Sequence, residues 1–289
     1  MPISLVGLGI SPSAAPGSDP AGDARAAEEL GFDFVSVSDH PCGTDPTYET
    51  WTLLTWMAAA TSRIRIASRV LGLPYRPPAM VAKMAETLQR FSGGRLILGL
   101  GGGYSDHEFR AFGLGVPTPR EKVDGMADAV AIMRGLWAEK SFSYAGPRYA
   151  VVDADVEPKP VAPIPVWLGT YGPRALDVTG RLADGWIPSL GFAGPAEVTA
   201  MRARIRTAAA AAGRDPEAIT CAYNVQVWLD GPPAQAGAGT VAGPAAKVAE
   251  ELAGYGQLGF TALNLMPGGP GPAREQAARI AAEVLPALR

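Results

Sequence analysis

Apolar and polar positions follow two periods along this chain, and the two take turns. Short, solid apolar runs end in glycine or a polar pair, and longer stretches repeat apolar residues at helical spacing. Ile3 to Ile10 predicts a first buried strand. A loop rich in Pro, Ser and Gly follows from Ser11 to Pro20. Asp19 or Ser18 then caps a helix that runs through Glu29-Leu30 and stops at Gly31. Phe32 to Ser38 is a second strand with Asp39-His40 at its end. Glu49 to Ala60 predicts a helix, Arg63 to Leu73 carries a third strand, and Pro77-Pro78 opens a helix with Met80, Val81, Met84, Leu88 and Phe91 at helical spacing. The fourth strand is Leu96-Ile97-Leu98-Gly99-Leu100, which runs into Gly101-Gly102-Gly103-Tyr104.

The second half keeps the alternation. Thr118-Pro119-Arg120-Glu121 is a capping box for a helix with Val123, Met126, Val130, Met133 and Trp137 on one face. Ser141 to Pro165 breaks the rhythm with its prolines, and is expected to be an insertion of a small hairpin and an extended arm. Val166-Trp167-Leu168, Trp186-Ile187, Ile219 to Leu229 and Thr261 to Met266 supply strands five to eight. Helices are expected from Pro173 to about Asp184-Gly185, from Pro195 to about Ala212, from Pro244 to Tyr255 and from Ala273 to Leu288. Gly231 to Gly243 is polar and glycine-rich, and is expected to be a mobile loop. Alternating strands and helices imply a parallel sheet with right-handed crossovers. With eight such units, the chain is predicted to form one (β/α)₈ TIM barrel over residues 1–289, with its chemistry at the C-terminal strand ends. An internal echo supports this: Gly31-Phe32 and Gly259-Phe260 each close a helix and start a strand.

Composition narrows the function classes. The 289 residues are 47% hydrophobic and carry a net charge of -3 without a basic block, which argues against nucleic acid and anionic membranes as partners. Two cysteines without a spaced motif fit a reducing, cytoplasmic setting. No apolar run approaches the roughly 18 residues that span a bilayer.

The strand ends then supply the candidate chemistry. Two glycine loops, Gly101 to Tyr104 and Gly169-Thr170-Tyr171-Gly172, suit close approach of a phosphate, and Arg174 stands at the start of the following helix. Neither loop is a G-x-G-x-x-G fingerprint, and the P-loop lysine is missing. His40 beside Asp39 is either a proton donor or a histidine held in place by that carboxylate. His107 is expected on a solvated helix. Asp39, His40, Cys42, His107 and Glu108 carry metal-ligand atoms, yet no His-x-His or Cys-x-x-Cys pair is present, so no metal is expected. With no Gly-x-Ser-x-Gly elbow either, a bound organic cofactor is expected to do the hard chemistry.

Several stretches also resemble one family. They are Gly31-Phe32-Asp33-Phe34-Val35-Ser36-Val37-Ser38-Asp39-His40, Ala58 to Ala67, Phe91 to Tyr104, Leu182-Ala183-Asp184-Gly185-Trp186 and Val284-Leu285-Pro286-Ala287-Leu288. The chain is similar to the bacterial luciferase-like oxidoreductases, in the flavour of their deazaflavin branch, over nearly all its length apart from Gly231 to Gly243. That resemblance implies coenzyme F-420 as cofactor, with FMN as the alternative, and a non-proline cis peptide after strand 3, at Arg69-Val70 or the bond after Ser68. It also implies that Ser68, Arg69 and Val70 lie against the ring system, that Gly101, Gly102, Gly103 and Tyr104 hold the polyol or phosphate, and that Gly169, Thr170, Tyr171, Gly172 and Arg174 hold the phosphate. Asp39 and the catalytic His40 would lie near the reactive ring carbon. Sugar-phosphate dehydrogenases of that branch pair this histidine with a glutamate after the glycines, where this chain has Tyr104, and carry a tryptophan where it has Pro41 to Thr44. These departures argue against a sugar-phosphate substrate and leave the second proton-transfer group unidentified. Trp186, Phe192 and Trp51 suggest instead a small apolar or aromatic substrate, and Trp51-Trp56 or Trp137 would supply a homodimer interface. Three readings follow: a hydride-transferring oxidoreductase, an FMN-dependent monooxygenase, and a non-catalytic coenzyme carrier.

Overall fold

Each solid apolar run becomes one stave of a barrel, and each helical-period stretch packs outside it. The structure is a computed structural model that describes residues 2–289. It begins with strand β1 (Leu5–Gly9), helix α1 (Pro20–Glu29), β2 (Phe34–Val37) and α2 (Thr50–Ala60). Strand β3 (Arg65–Ser68) is followed by its short continuation β4 (Leu71–Gly72), then α3 (Pro78–Phe91), β5 (Leu96–Gly101), the short α4 (Asp106–Ala111) and α5 (Pro119–Ala138). An antiparallel hairpin, β6 (Phe142–Ala145) and β7 (Ala150–Ala154), and an extended arm occupy the predicted insertion. The round is completed by β8 (Val166–Leu168), α6 (Pro173–Leu182), β9 (Gly185–Trp186), α7 (Pro195–Ala211) and β10 (Thr220–Leu229). It ends with β11 (Thr240–Gly243), α8 (Ala245–Gly254), β12 (Ala262–Pro267), α9 (Ala273–Glu283) and α10 (Leu285–Leu288).

The eight staves run β1-β2-β3-β5-β8-β9-β10-β12, all in parallel, and β12 pairs β1 to close the ring. The predicted TIM barrel is therefore the observed fold. Within it, the predicted capping box on α5 forms in full, with Thr118 on the Glu121 amide and Glu121 on the Thr118 amide. Gly31 and Gly259, the two residues of the internal echo, both take positive φ (84° and 88°), the conformation that glycine adopts freely at a helix end. Two local expectations are corrected. The segment Gly231 to Gly243 is not all loop, because Thr240–Gly243 pairs in parallel with the long β10. The terminal helix breaks at Val284 into α9 and α10, where Pro286 cannot continue the hydrogen-bond ladder.

Two apolar layers form. The larger lies between staves and helices. The smaller fills the barrel lumen with Phe34, Ala67, Ile97, Trp167, Ile187, Ala222 and Ala262. Phe34 is fully buried and meets Trp167 edge-on at 5.8 Å. It fits because Gly7 on the neighbouring stave has no side chain: a Cβ there would stand 2.2 Å from the Phe34 ring. Above this layer, a polar ladder crosses the lumen. Ser36 donates to Asn264 (2.8 Å), Asn264 to Asn224 (3.0 Å), and Asn224 to Ser189 at the mouth (3.2 Å).

Candidate active site

The C-terminal stave ends open into a cleft of about 650 Å³. Its floor is the peptide between Arg69 and Val70, which is cis, at one of the two bonds expected from the resemblance. Gly101 and Gly169 flank Val70. A Cβ on Gly101 would sit 2.6 Å from Val70 Cγ2, and one on Gly169 would sit 3.2 Å from Val70 Cγ1, so a flat group could approach the floor only past glycine. The rim is aromatic: Phe192 meets Tyr104 at 5.6 Å and Tyr171 at 5.8 Å between ring centroids. Tyr171 Oη accepts the Ser189 amide proton at 2.9 Å, which fixes the ring in the wall.

His40 stands on this cleft, and its partner is not Asp39. His40 Nδ1 lies 2.9 Å from Glu108 Oε1, and Tyr75 donates its hydroxyl to Glu108 Oε2 at 2.6 Å. The Glu108 side chain is 7% exposed and that of His40 55%. Burial pushes the Glu108 carboxyl up, but the hydrogen bonds from Tyr75 and His40 outweigh it and hold the group below its usual value. Glu108 is thus an anion at neutral pH and an acceptor only, which places the proton on Nδ1 and leaves Nε2 as the nitrogen free for chemistry. Burial and the Glu108 charge both drive the Tyr75 phenol well above its ordinary range, so it stays a donor.

Glu108 is positioned by local sequence. Ser105 caps α4 by accepting the Glu108 amide, and Gly103 turns the chain at φ 84°. The gap at Gly103 receives the ring of Phe109, whose Cζ would lie 2.2 Å from a Cβ there. Phe109 in turn packs on Tyr75 at 5.0 Å. Sequence reasoning looked for the acid at Tyr104 and stopped one helical turn short. The available signal was Ser105-Asp106-His107-Glu108, an S-x-x-E helix start directly after the glycines. His107 itself is exposed, as expected.

The remaining expected residues divide. Asp39, His40, Arg69, Val70, Gly101, Gly102, Gly103, Tyr104, Gly169 and Tyr171 line the cleft. Asp39 is committed elsewhere: its buried carboxylate accepts the Gly72 amide at 2.9 Å and pairs with Arg76 at 2.8 Å, and Arg76 also holds Glu49. Ser68 is spent on Gly99, donating to its carbonyl and accepting from its amide. The Thr170 hydroxyl is buried against Thr179. Gly172 caps α6, and Arg174 pairs with Asp124 at 2.8 Å in a groove outside the barrel. Trp186 is buried among the helices, with Nε1 on the Thr170 carbonyl, and Trp51 is buried on the α2–α3 side of the barrel wall, so of the three expected aromatic residues only Phe192 reaches the mouth. No cluster of three or more metal-ligating side chains occurs among the described residues.

A closed (β/α)₈ barrel with a glycine-flanked cleft at its C-terminal mouth, beside a histidine–carboxylate pair, defines the class. Residues 13–285 match the family model described as luciferase-like monooxygenase, and the chain belongs to that family. Among known proteins it is similar to an F-420-dependent glucose-6-phosphate dehydrogenase from Kineococcus radiotolerans, 33% identical over 217 residues. That alignment covers 73% of this chain and 64% of the relative, so the chain spans just under two thirds of the relative's length. Two solved structures share the fold. An F-420-dependent secondary alcohol dehydrogenase in complex with an F-420–acetone adduct superposes with a TM-score of 0.89 at 20% identity over 99% of both chains. The coenzyme F-420-dependent tetrahydromethanopterin reductase of Methanopyrus kandleri gives 0.84 at 20% identity over 100% of both.

Proposed function

We propose that this protein is an oxidoreductase dependent on coenzyme F-420 that moves a hydride between the coenzyme and a small organic substrate. The observation that carries the reading is the His40–Glu108 pair beside a cleft whose floor and flanks are bare backbone. The relatives' dependence on the same coenzyme supports it. The residues present fit a flat ring, because Gly101 and Gly169 leave Val70 without a side chain on either flank: a Cβ at Gly101 would collide with it at 2.6 Å and one at Gly169 would crowd it at 3.2 Å. The Arg69-Val70 backbone would support the ring, Gly101 to Gly103 and Tyr104 would receive the polyol, and the α6 N-terminus at Gly169 to Gly172 would receive the phosphate. When bound, the deazaflavin gives or takes the hydride.

The chain's own part is the proton. Oxidising an alcohol by hydride loss, or reducing a carbonyl, moves a proton at the substrate oxygen as well. His40 Nε2 takes or returns it while Glu108 holds Nδ1–H and balances the imidazolium charge. Tyr75 fixes Glu108, and Tyr104, Tyr171 and Phe192 line the mouth beside the pair. The compartment is proposed to be the cytoplasm, which accords with the free thiols of Cys42 and Cys221, and no described helix is long and apolar enough to cross a membrane. The assembly is proposed to be a homodimer through the outer faces of α2 and α3, where Trp56 (66% exposed) and Phe91 (73%) stand in solvent. Trp137 is half-buried, with its Nε1 donating to the Ala82 carbonyl, and offers less open surface than Trp56 or Phe91. Trp56→Glu should convert the dimer to monomer in sedimentation velocity, and a wild-type monomer would remove the proposal.

The deciding experiment is a fluorescence titration of the purified protein with coenzyme F-420 and, separately, with FMN. Micromolar or tighter binding of F-420 with weak FMN binding is expected. The reverse preference moves the assignment to an FMN-dependent monooxygenase. Tight F-420 binding with no turnover across a broad screen of alcohols and carbonyls makes the protein a carrier.

A further inference from the structure

Among the described residues, one charge at the mouth has no ionic partner. Arg69 ends its stave on the cleft wall, and its Nε is sealed from solvent with no hydrogen-bond partner. Nη1 meets only the Met266 sulfur, at 2.9 Å. A thioether is a weak acceptor, so within the protein the guanidinium has no strong acceptor, and its Nε has none at all. The other charges near the cleft are already matched. Asp39 is saturated by Arg76 and the Gly72 amide, and Glu108 by His40 and Tyr75. Burial lowers Arg69 to about 10, which still leaves it cationic at neutral pH. A half-buried guanidinium with its Nε sealed and no ionic partner is costly to keep, and a ligand anion would complete it.

We propose that Arg69 is the anion-recognition point of the substrate site, and that the substrate is a small monoanionic acid, an apolar or aromatic body bearing one carboxylate. The planar fork of a guanidinium matches a carboxylate with two parallel hydrogen bonds. A lone cation suits one negative charge rather than the two of a phosphate monoester. The walls beside it, Val70, Ile187, Tyr171 and Phe192, suit the apolar body. Calling the ligand a substrate rests on the oxidoreductase reading; the anion site itself does not.

The test is isothermal titration calorimetry with benzoate and its uncharged isostere benzamide, on the protein alone and on the protein saturated with coenzyme F-420. Wild type should bind benzoate roughly tenfold or more tightly than benzamide, with the preference weakening as salt rises. Arg69→Met, which keeps an unbranched apolar stem but removes the guanidinium, should abolish that preference, and Arg69→Lys should retain part of it. Equal binding of the two probes to wild type overturns the proposal, and needs no variant to fold. A preference that survives in Arg69→Met overturns it as well. If Arg69→Met instead loses coenzyme affinity roughly tenfold or more, the anion completing Arg69 is the coenzyme's own, and the substrate assignment falls. Benzoate preference in a protein that binds no F-420 would sink the oxidoreductase reading while leaving the anion site standing.

Discussion

Replacing Glu108 with glutamine isolates what its charge contributes, because the two side chains share a shape. The carboxylate accepts two hydrogen bonds, from Tyr75 at 2.6 Å and His40 at 2.9 Å. Bonds to a charged group stabilise by about 1.5–3 kcal/mol, roughly twice a neutral bond, so a glutamine retains about half. The Tyr75 bond lies below the surface and counts nearly in full. The His40 bond is wetted, since that side chain is 55% exposed, and contributes only a few tenths of a kcal/mol. Glu108→Gln should therefore cost about 1–1.5 kcal/mol, most of it at Tyr75, and lower Tm by roughly 3 °C for a chain of this size. The pH dependence has a definite sign. Folding holds Glu108 below its usual pKa, so its contribution is full above the unfolded value of about 4.3 and is lost as pH falls through the lowered folded value. Melting curves of both proteins from pH 7 downward should show a gap that is constant near neutrality and closes below about pH 4. A gap that persists unchanged at low pH would mean that glutamine disturbs packing, and would refute the charge argument. Turnover of a substrate found by screening should fall roughly 10²–10⁴-fold while coenzyme affinity is kept, as expected for a pair that acts on a proton.

Asp39→Asn breaks a buried pair but leaves Arg76 its bond to Glu49, so the loss should be about 3 kcal/mol, at the low end for such breaks, read as a lower urea midpoint. An unchanged midpoint would show that the pair is energetically neutral. Gly101→Ala drives a Cβ to 2.6 Å from Val70 Cγ2. If the resulting clash of about 1–3 kcal/mol is taken from binding, coenzyme affinity falls roughly ten- to hundredfold in fluorescence titration, and full affinity would move the ring off this floor. Arg174→Ala removes only an exposed pair with Asp124 in a groove outside the barrel, so Tm should hold and coenzyme affinity should stay within about twofold at low and high salt alike. A several-fold loss at low salt that narrows as salt weakens the wild type would bring Arg174 into the phosphate site.

The barrel was legible because its signal is periodic and long: eight solid runs separated by helical stretches leave few other architectures. The cleft backbone was legible for a related reason, since glycines after a strand mark close approach whatever the ligand. Side-chain direction was the weak point. Trp186 and Ile187 are adjacent, yet a strand sends neighbours to opposite faces, so Ile187 enters the lumen while Trp186 joins the helix layer. Nothing in a two-residue stave fixes which of the pair points in. Ser68 and Thr170 sit at stave ends in the right places, but short hydroxyls satisfy buried backbone or each other before they reach a ligand. Glu108 was missed because its partner is 68 positions away and the link is made by a six-residue helix rather than by a stave. The glycine-rich Gly231 to Gly243 shows the opposite failure: composition suggested mobility, but β10 is ten residues long and offers an edge that β11 takes.

The seating of Phe109 in the gap at Gly103 makes the glycine loop and the acid behind His40 a single mechanical part. Glu108 is the residue next to Phe109, so a loop pushed outward carries the carboxylate away from Nδ1, and a loop pressed down drives it home. Coenzyme docking on the loop would then bear on the same part that sets the His40–Glu108 pair, which stands at 2.9 Å. Slower amide exchange across α4 on coenzyme binding is the expected signature, and exchange there indifferent to the coenzyme would uncouple the two.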